Sequence, residues 1–409
     1  MQQTARISPT VATVLRGELC TGCGLCASVA GPAIRMESVD PGYNRPVQRG
    51  GVEPRAERII AQVCPGAVVA PWAGEKVHPY WGPWRQVLSG HAVDPDVRFE
   101  GSSGGVISAL LIHALETGLV DRVVHVGASP DDPTRNVTVV SRTPAEVVAR
   151  AGSRYTASSP LADIEAELAA GGRFAFVGKP CDVSALRRLA ALDPRVDACV
   201  PILLSFFCGG IPSHAGVGRI LAKLGVASGD VRRFRYRGRG WPGTCAAETA
   251  ERVVEMSYAE SWGGHLSKEV QFRCKICPDA VGGVADIACA DAWYGDENGY
   301  PSFDEQDGRS LVVVRSQAGE ALLASAVACQ ALSLESLPVD EIDKMQPSQA
   351  RRKRLVFART ASLPFTLQPR PVMRGLAVGR AALKAPLAEA ARNFLGTIRR
   401  TLQGRRSRL

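Results

Sequence analysis

The 409 residues are 45% hydrophobic with a formal net charge of +9, enough chain to bury large cores in two or three domains. No apolar run reaches bilayer-spanning length and the first seventeen residues lack the apolar core of a secretory signal, so twelve cysteines point to a cytoplasmic, reducing setting and metal ligation rather than disulfides. Residues 350–409 hold fifteen Lys/Arg and one acid, Glu389, on an otherwise mildly acidic chain; without aromatic interleaving or a reader motif, nucleic-acid binding is not expected.

The first element, residues 1–75, is a small module around Cys20, Cys23 and Cys26 in C-T-G-C-G-L-C, with Cys64 in a later C-P-G-A segment. Three cysteines at three-residue steps, plus a distant Cys-Pro, is the ligand spacing of a ferredoxin-type [4Fe–4S] cluster. Such a cluster does one-electron chemistry that no side chain can do. A two-cluster ferredoxin would need four further cysteines, at the places where Ala30, Pro54, Glu57 and Ile60 stand. A zinc site would pair two C-x2-C knuckles, or a Cys pair with a His pair, and no His lies near Cys64. Residues 71–86 (PWAGEKVHPYWGPWRQ) read as an irregular linker that packs through its aromatics.

From residue 87 the pattern is α/β, and a domain is expected over 87–340, in parts 87–160 and 161–340. The strand RQVLSGHAV leads to the loop Gly101-Ser102-Ser103-Gly104-Gly105 and the helix VISALLIHALE, stopped near Gly118. The strand DRVVHVGA, helices within 143–152 and 160–172, the strand RFAFVG, the helix VSALRRLAAL and the strand VPILLSFF follow. This alternation indicates a largely buried sheet. The glycine loop offers backbone N–H groups and two hydroxyls to a phosphate; a tight turn with a Ser cap is the alternative. A second anion candidate is R-Y-T-A-S-S-P, with Arg154, Ser158 and Ser159. A third is F-R-Y-R-G-R-G-W-P-G, where a continuous strand would put Arg233, Arg235, Arg237 and Arg239 on one face, as an anion site or a solvated surface.

Cys181 closes the strand RFAFVG, Cys208 closes VPILLSFF, and C-K-I-C brings Cys274 and Cys277. Strand ends meet at a sheet edge, where sites in open α/β sheets form. Two readings stand: a second [4Fe–4S] cluster, or a zinc or dithiol C-K-I-C with Cys181 and Cys208 as buried hydrophobes. Cys199, Cys245, Cys289 and Cys329 read as buried thiols. Asp286 and Asp291, in A-D-I-A-C-A-D-A-W, read as turn or cap residues or as carboxylates able to relay a proton. Residues 341–409 form a basic, partly helical tail, expected to be dispensable for cofactor content from residue 376 on. Its segment 386–402 places Leu387, Ala391, Phe394, Leu395, Ile398 and Leu402 near one helical face, suited to an anionic membrane surface or to docking on the body or a partner.

The motifs C-T-G-C-G-L-C, G-S-S-G-G-V-I-S-A-L, S-R-Y-T-A-S-S-P-L, F-V-G-K-P-C-D-V-S-A-L, F-F-C-G-G, F-R-Y-R-G-R-G-W-P-G and F-R-C-K-I-C-P-D…A-D-I-A-C-A-D-A-W, in this order, resemble the coenzyme F420 hydrogenase/dehydrogenase beta-subunit family. That family also includes 7-hydroxymethyl chlorophyll a reductase and a ferredoxin-dependent divinyl chlorophyllide reductase. The resemblance implies an α/β protein (α+β overall): a ferredoxin-like iron–sulfur module followed by a mixed α/β flavin-binding domain, with the helical basic tail added. It implies FAD and makes Cys181, Cys208, Cys274 and Cys277 ligands of a second [4Fe–4S] cluster. The loop Gly101–Gly105 becomes part of the flavin pyrophosphate site, with Arg154, Ser158 and Lys179 as neighbours. Lys179 and Asp291 become the catalytic candidates, one neutralising reduced flavin or tuning the cluster and the other orienting the flavin or relaying a proton. The implied function is an oxidoreductase passing electrons from ferredoxin or a similar donor through the clusters to FAD, which reduces a small organic molecule. The alternatives are a subunit that oxidises or reduces coenzyme F420 within a larger complex, and a non-catalytic electron-transfer or binding subunit. A homo-oligomer is a further possibility for the assembly.

Overall fold

A computed structural model describes residues 7–293, 295 and 304–406. Helix α1 (Pro9–Arg16) starts on a Ser8 cap with proline at its first position, which removes an orphan N–H at no cost. Helix α2 (Leu25–Ala30), the antiparallel hairpin β1 (Ile34–Val39)–β2 (Tyr43–Gln48) and α3 (Pro54–Val63) complete the N-terminal module. The positions lacking a ligand cysteine are used for packing. Ile60 is fully buried beside Val11, Ile34 and Ala56, and Glu57 accepts from the Thr10 N–H (3.1 Å) and hydroxyl (2.6 Å), tying α1 to α3.

The body is one eight-stranded mixed sheet with strands β3 (Gln86–Ala92), β4 (Arg122–Ala128), β5 (Asn136–Ser141), β6 (Phe174–Val177) and β7 (Ile202–Phe206). A separate three-stranded sheet, β8 (Arg233–Arg235), β9 (Thr244–Glu248) and β10 (Val253–Ser257), is inserted before the last three main strands. Those are β11 (Ile287–Asp291), β12 (Ser310–Val314) and β13 (Leu332–Ser336), and the main order is β13-β3-β12-β11-β7-β6-β4-β5. Strands β4, β6, β7 and β11 run parallel. Because β3 lies between β12 and β13, the sheet is continuous across residue 160, and the parts 87–160 and 161–340 share one sheet.

One sheet face is covered by α4 (Val106–Glu116) and its neighbours, the other by α5 (Pro180–Ala190) packed against Cys23, Leu25 and Val63 of the module. The linker packs through its aromatics: Trp72, Tyr80 and Trp81 are buried, and Trp81 stacks on Phe207 at 6.0 Å. A one-turn helix, α6 (Phe272–Lys275), carries Cys274. The C-terminal region contains α7 (Pro347–Ala361) and α8 (Leu387–Arg406), packed on each other. It is not peripheral. Leu376 and Ala381 are buried in the same core as Trp72 and Trp81, so the chain from residue 376 packs into the body.

Candidate redox site

Cys20, Cys23, Cys26 and Cys64 line one small cavity whose other walls include Val11, Val14, Leu25, Met36, Ile60 and Val63. The ligand loop reaches it because Gly22 and Gly24 adopt left-handed backbone (φ +78° and +92°), and a side chain on Gly24 would strike the backbone of Ala162. Burial pushes the thiols up, Cys64 to about 11, with the neighbouring cysteines adding to the shift at Cys23, Cys26 and Cys64. Four thiols this close in an apolar pocket ionise only around a cationic centre. Among the described residues no three His, Cys, Asp or Glu side chains converge on a point that one metal ion could occupy. Four thiols set around one shared cavity have the arrangement of cluster ligands, which go to separate irons.

The second set is assembled from three segments, with Cys181 in the first turn of α5, Cys208 just after β7, and Cys274 and Cys277 around α6. Cys181 interacts electrostatically with Cys208 and Cys274, and Cys208 with Cys274 and Cys277, so the four form one neighbourhood. Burial raises Cys208 to about 12. The Ile211 N–H donates to the Cys274 sulfur at 3.4 Å, and Gln271 Nε2 at 3.5 Å. Helix α7 braces these loops with cations. Arg352 Nη1 donates to the Cys208 carbonyl at 2.8 Å and Nη2 to that of Cys274. Arg359 Nη1 reaches the Lys275 carbonyl at 2.8 Å, and buried Lys353 donates to the carbonyls of Pro278 and Leu376. No sequence spacing signalled this brace.

The two sets abut. Ile276, between Cys274 and Cys277, packs with Leu19 and Cys20, and buried Arg273 donates to the Pro65 carbonyl at 2.9 Å. Arg45, beside Cys20, donates to Gln271 Oε1 at 2.9 Å. Of the remaining cysteines, Cys245 and Cys289 are buried as expected, Cys199 is half-buried, and Cys329 is exposed, contrary to expectation.

A cavity of about 290 Å³ lies at the C-terminal edge of the parallel strands, the edge where open α/β sheets bind ligands. It is lined by Gly101, Ser102, Ser103 and Gly105, by Arg154 and Ser158, by Lys179 and Asp291, and by Cys208 of the second set. Helix α4 begins beside it on left-handed Gly105 with no side-chain cap, leaving N–H groups of Val106, Ile107 and Ser108 for an anion. Gly104 is the exception: its N–H donates to Ser310 Oγ, and a Cβ there would meet the backbone of Gly90 and Ser310. Its part is close packing against the sheet, not ligand contact.

The structure refines four expected roles. Lys179 is buried in an ion pair with Asp182 (2.7 Å) and donates to Ser158 Oγ at 2.9 Å. Burial opposes its charge, but Asp182 and the Cys181 sulfur outweigh burial and hold the ammonium above its usual range. Asp182 was not foreseen, although Lys179-Pro-Cys-Asp is a helix-start pattern in which the Asp182 carboxylate accepts from the Lys179 N–H at 2.9 Å. Arg154 is held by Asn136 and the carbonyls of Pro133 and Arg135, which makes it a wall of the cavity more than a loose anion clamp. Asp291 accepts two bonds from Arg237 (2.7 and 2.8 Å) and one from Trp241 Nε1 (2.9 Å), so it anchors the Arg237–Trp241 loop rather than carrying a mobile proton. Asp286 is buried and takes up the Leu203 N–H and Arg187, as a cap would.

The arginine row fails as a single face. Strand β8 ends at Arg235, Gly238 and Arg239 take positive φ, and the guanidiniums go to three different carboxylates: Arg233 to Glu248, Arg235 and Arg239 both to Glu100, Arg237 to Asp291.

An α/β sheet whose ligand-binding edge meets a cluster of cysteines defines a redox-protein architecture. Two family models match in sequence order, those for the N-terminal and C-terminal parts of the coenzyme F420 hydrogenase/dehydrogenase beta subunit, over residues 87–164 and 171–340 respectively. The chain belongs to this family. Coenzyme F420 hydrogenase subunit beta of Methanococcus voltae is 27% identical over 305 residues, spanning 69% of this chain and 98% of that protein. Chloroplastic 7-hydroxymethyl chlorophyll a reductase of Oryza sativa is 36% identical over 110 residues, but these span only 26% of this chain and 23% of that protein. A chain in the solved F420-reducing [NiFe] hydrogenase complex of Methanosarcina barkeri has a TM-score of 0.54 at 23% identity, covering 73% of this chain and 99% of that one, which establishes a shared fold.

Proposed function

We propose that the chain is an electron-transferring oxidoreductase subunit that exchanges electrons with coenzyme F420 or a closely related deazaflavin. The relatives favour this over the ferredoxin-fed reduction of a separate organic substrate, because those matched over 85% or more of their length are named as coenzyme F420 hydrogenase beta subunits. The observation that carries the reading is the single cavity bounded by the uncapped start of α4 and by Cys208. In this reading Cys20, Cys23, Cys26 and Cys64 hold one [4Fe–4S] cluster, and Cys181, Cys208, Cys274 and Cys277 hold another. FAD bound in the cavity would supply the conversion between single electrons and a hydride.

This chain's residues then do four things. The N–H groups of α4 receive the anionic part of the cofactor. The Lys179–Asp182 pair holds a fixed dipole beside it, the Arg237–Asp291 pair sets one wall, and Arg352 fixes the Cys208 and Cys274 loops relative to each other. Anaerobic purification, with iron, sulfide and flavin counted per chain and F420 turnover followed with a dye partner, tests the proposal. Iron and flavin with ferredoxin-linked but no F420 turnover would restore the ferredoxin reading. Colourless protein with stoichiometric zinc would overturn the cluster assignments.

A further inference from the structure

Helix α8 turns polar groups toward the body and leaves several leucines in water. Its inward face carries Thr397 and Thr401, both buried, and half-buried Asn393, with half-buried Phe394 and Ile398 along one edge. These polar groups are satisfied locally: Asn393 Oδ1 accepts from Arg359, and the two threonine hydroxyls donate to carbonyls one turn back. The outward face carries Leu387 (88% exposed), Leu395 (64%) and Leu402, with exposed Ala391 on the same side, at spacings that repeat along one helical face.

The apolar strip continues onto the preceding turn. Phe365 (73% exposed) and Leu367 (85%) lie beside the helix, and the Phe365 ring meets Phe394 edge-on at 5.4 Å. Exposed Arg392 and Arg399 border the strip. The one acid of the region, Glu389, is already paired with Arg351 at 2.5 Å. The matched family models end at residue 340, before any of this begins.

We propose that this C-terminal surface is a peripheral membrane anchor, which seats α8 flat on an anionic phospholipid bilayer with its leucines and Phe365 in the acyl boundary and its arginines at the headgroups. Clustered exposed apolar side chains are costly unless something covers them. A strip of leucine and phenylalanine bordered by exposed positive charge is the composition that an anionic lipid surface complements. A nucleic acid would take the charge and leave the leucines in water. Among the described residues no helix is long and apolar enough to cross a membrane, so the contact is with the surface. The proposal does not depend on the substrate assigned above.

The test is co-sedimentation of the full, anaerobically purified chain with vesicles of phosphatidylcholine alone or mixed with phosphatidylglycerol. Binding to the anionic vesicles at least about tenfold tighter, and weakening with salt, is expected. The double substitution Leu387→Glu/Leu395→Glu alters only exposed side chains. It should lower binding at least about tenfold, with iron content and melting temperature unchanged. Arg392→Gln/Arg399→Gln should reduce the preference for anionic over neutral vesicles. No binding to anionic vesicles, or binding indifferent to the leucine change, overturns the proposal. So does a wild-type dimer that the leucine variant converts to monomer, which would assign the surface to a second copy, or nucleic-acid binding that persists in that variant.

Discussion

The two cysteine sets solve one problem by opposite means. The first draws three of its four thiols from Cys20–Cys26 and closes on Cys64, inside an apolar pocket built within the same small module. The second takes Cys181 from a helix start, Cys208 from a strand end and Cys274 and Cys277 from a loop, and it is braced by cations from α7, far along the chain. A site made by a local loop survives as long as that loop does. A site made by three segments exists only when the whole α/β body and its C-terminal helix are in place.

The largest effects should come from the thiols. Cys23→Ser and Cys208→Ser should each remove about half of the iron, one set at a time, since each variant loses one ligand from a four-ligand site. Cys208→Ser should also lower flavin content, because Cys208 lines the cavity and Cys23 does not. Loss of all the iron in either variant would show that the sets do not stand independently. Next in size is the brace. Arg352→Ala removes two charge-assisted hydrogen bonds, at a cost of about 3–4 kcal/mol, read from the denaturation midpoint. In a Cys23→Ser background, where only the second set remains loaded, it should speed iron release; in a Cys208→Ser background the release rate should not change.

The same contrast explains what could be read from the sequence. C-T-G-C-G-L-C carries its geometry in its spacing, so its three thiols were legible together with Cys64, and the four fall in one pocket. Cys181, Cys208, Cys274 and Cys277 could be paired only through the expectation that strand ends meet, and the family resemblance strengthened it. Strands β3, β4, β6 and β7 announced themselves by their apolar runs and the cavity-lining loop by its glycines, whereas β5, β12 and β13 were not read from the sequence. Arg352, Lys353 and Arg359 were opaque because a basic helix looks the same whether it faces water or donates to buried carbonyls. The arginine row misled for a related reason: period-two spacing orients side chains only while a strand lasts, and β8 stops at Arg235. Asp291 looked like an acid–base candidate because its partner Arg237 lies on a distant loop.

Arg273 sits at the seam between the two regions and so measures their coupling. It is buried, touches the Pro65 carbonyl, and its charge bears on Cys64 although it belongs to the loop of the second set. Arg273→Met keeps the bulk and removes one charged hydrogen bond, an expected loss of about 1.5–2 kcal/mol. The informative readout is redox titration by electron paramagnetic resonance. If Arg273 couples the two regions, Arg273→Met should lower the midpoint potential of the first set, from which a positive charge is withdrawn; an unmoved potential would make Arg273 a packing residue only.

The smallest effect belongs to neither set and provides a control on both. His125 lines the cavity, bonded to Ser141 at 2.7 Å, and burial lowers its pKa to about 4, with Arg150 adding to the shift. The unfolded histidine takes up its proton near pH 6.5, whereas the folded one resists until about pH 4. Between those values the unfolded state binds more protons, so stability falls as the pH drops. From pH 7 to 5.5 the loss from this one group is about 1 kcal/mol. Melting curves across that range should show the decline in the wild type and in Cys23→Ser alike, and His125→Gln should flatten it by that amount. An undiminished slope in His125→Gln would move the acid sensitivity out of the cavity and onto other groups, the cysteine sets among them.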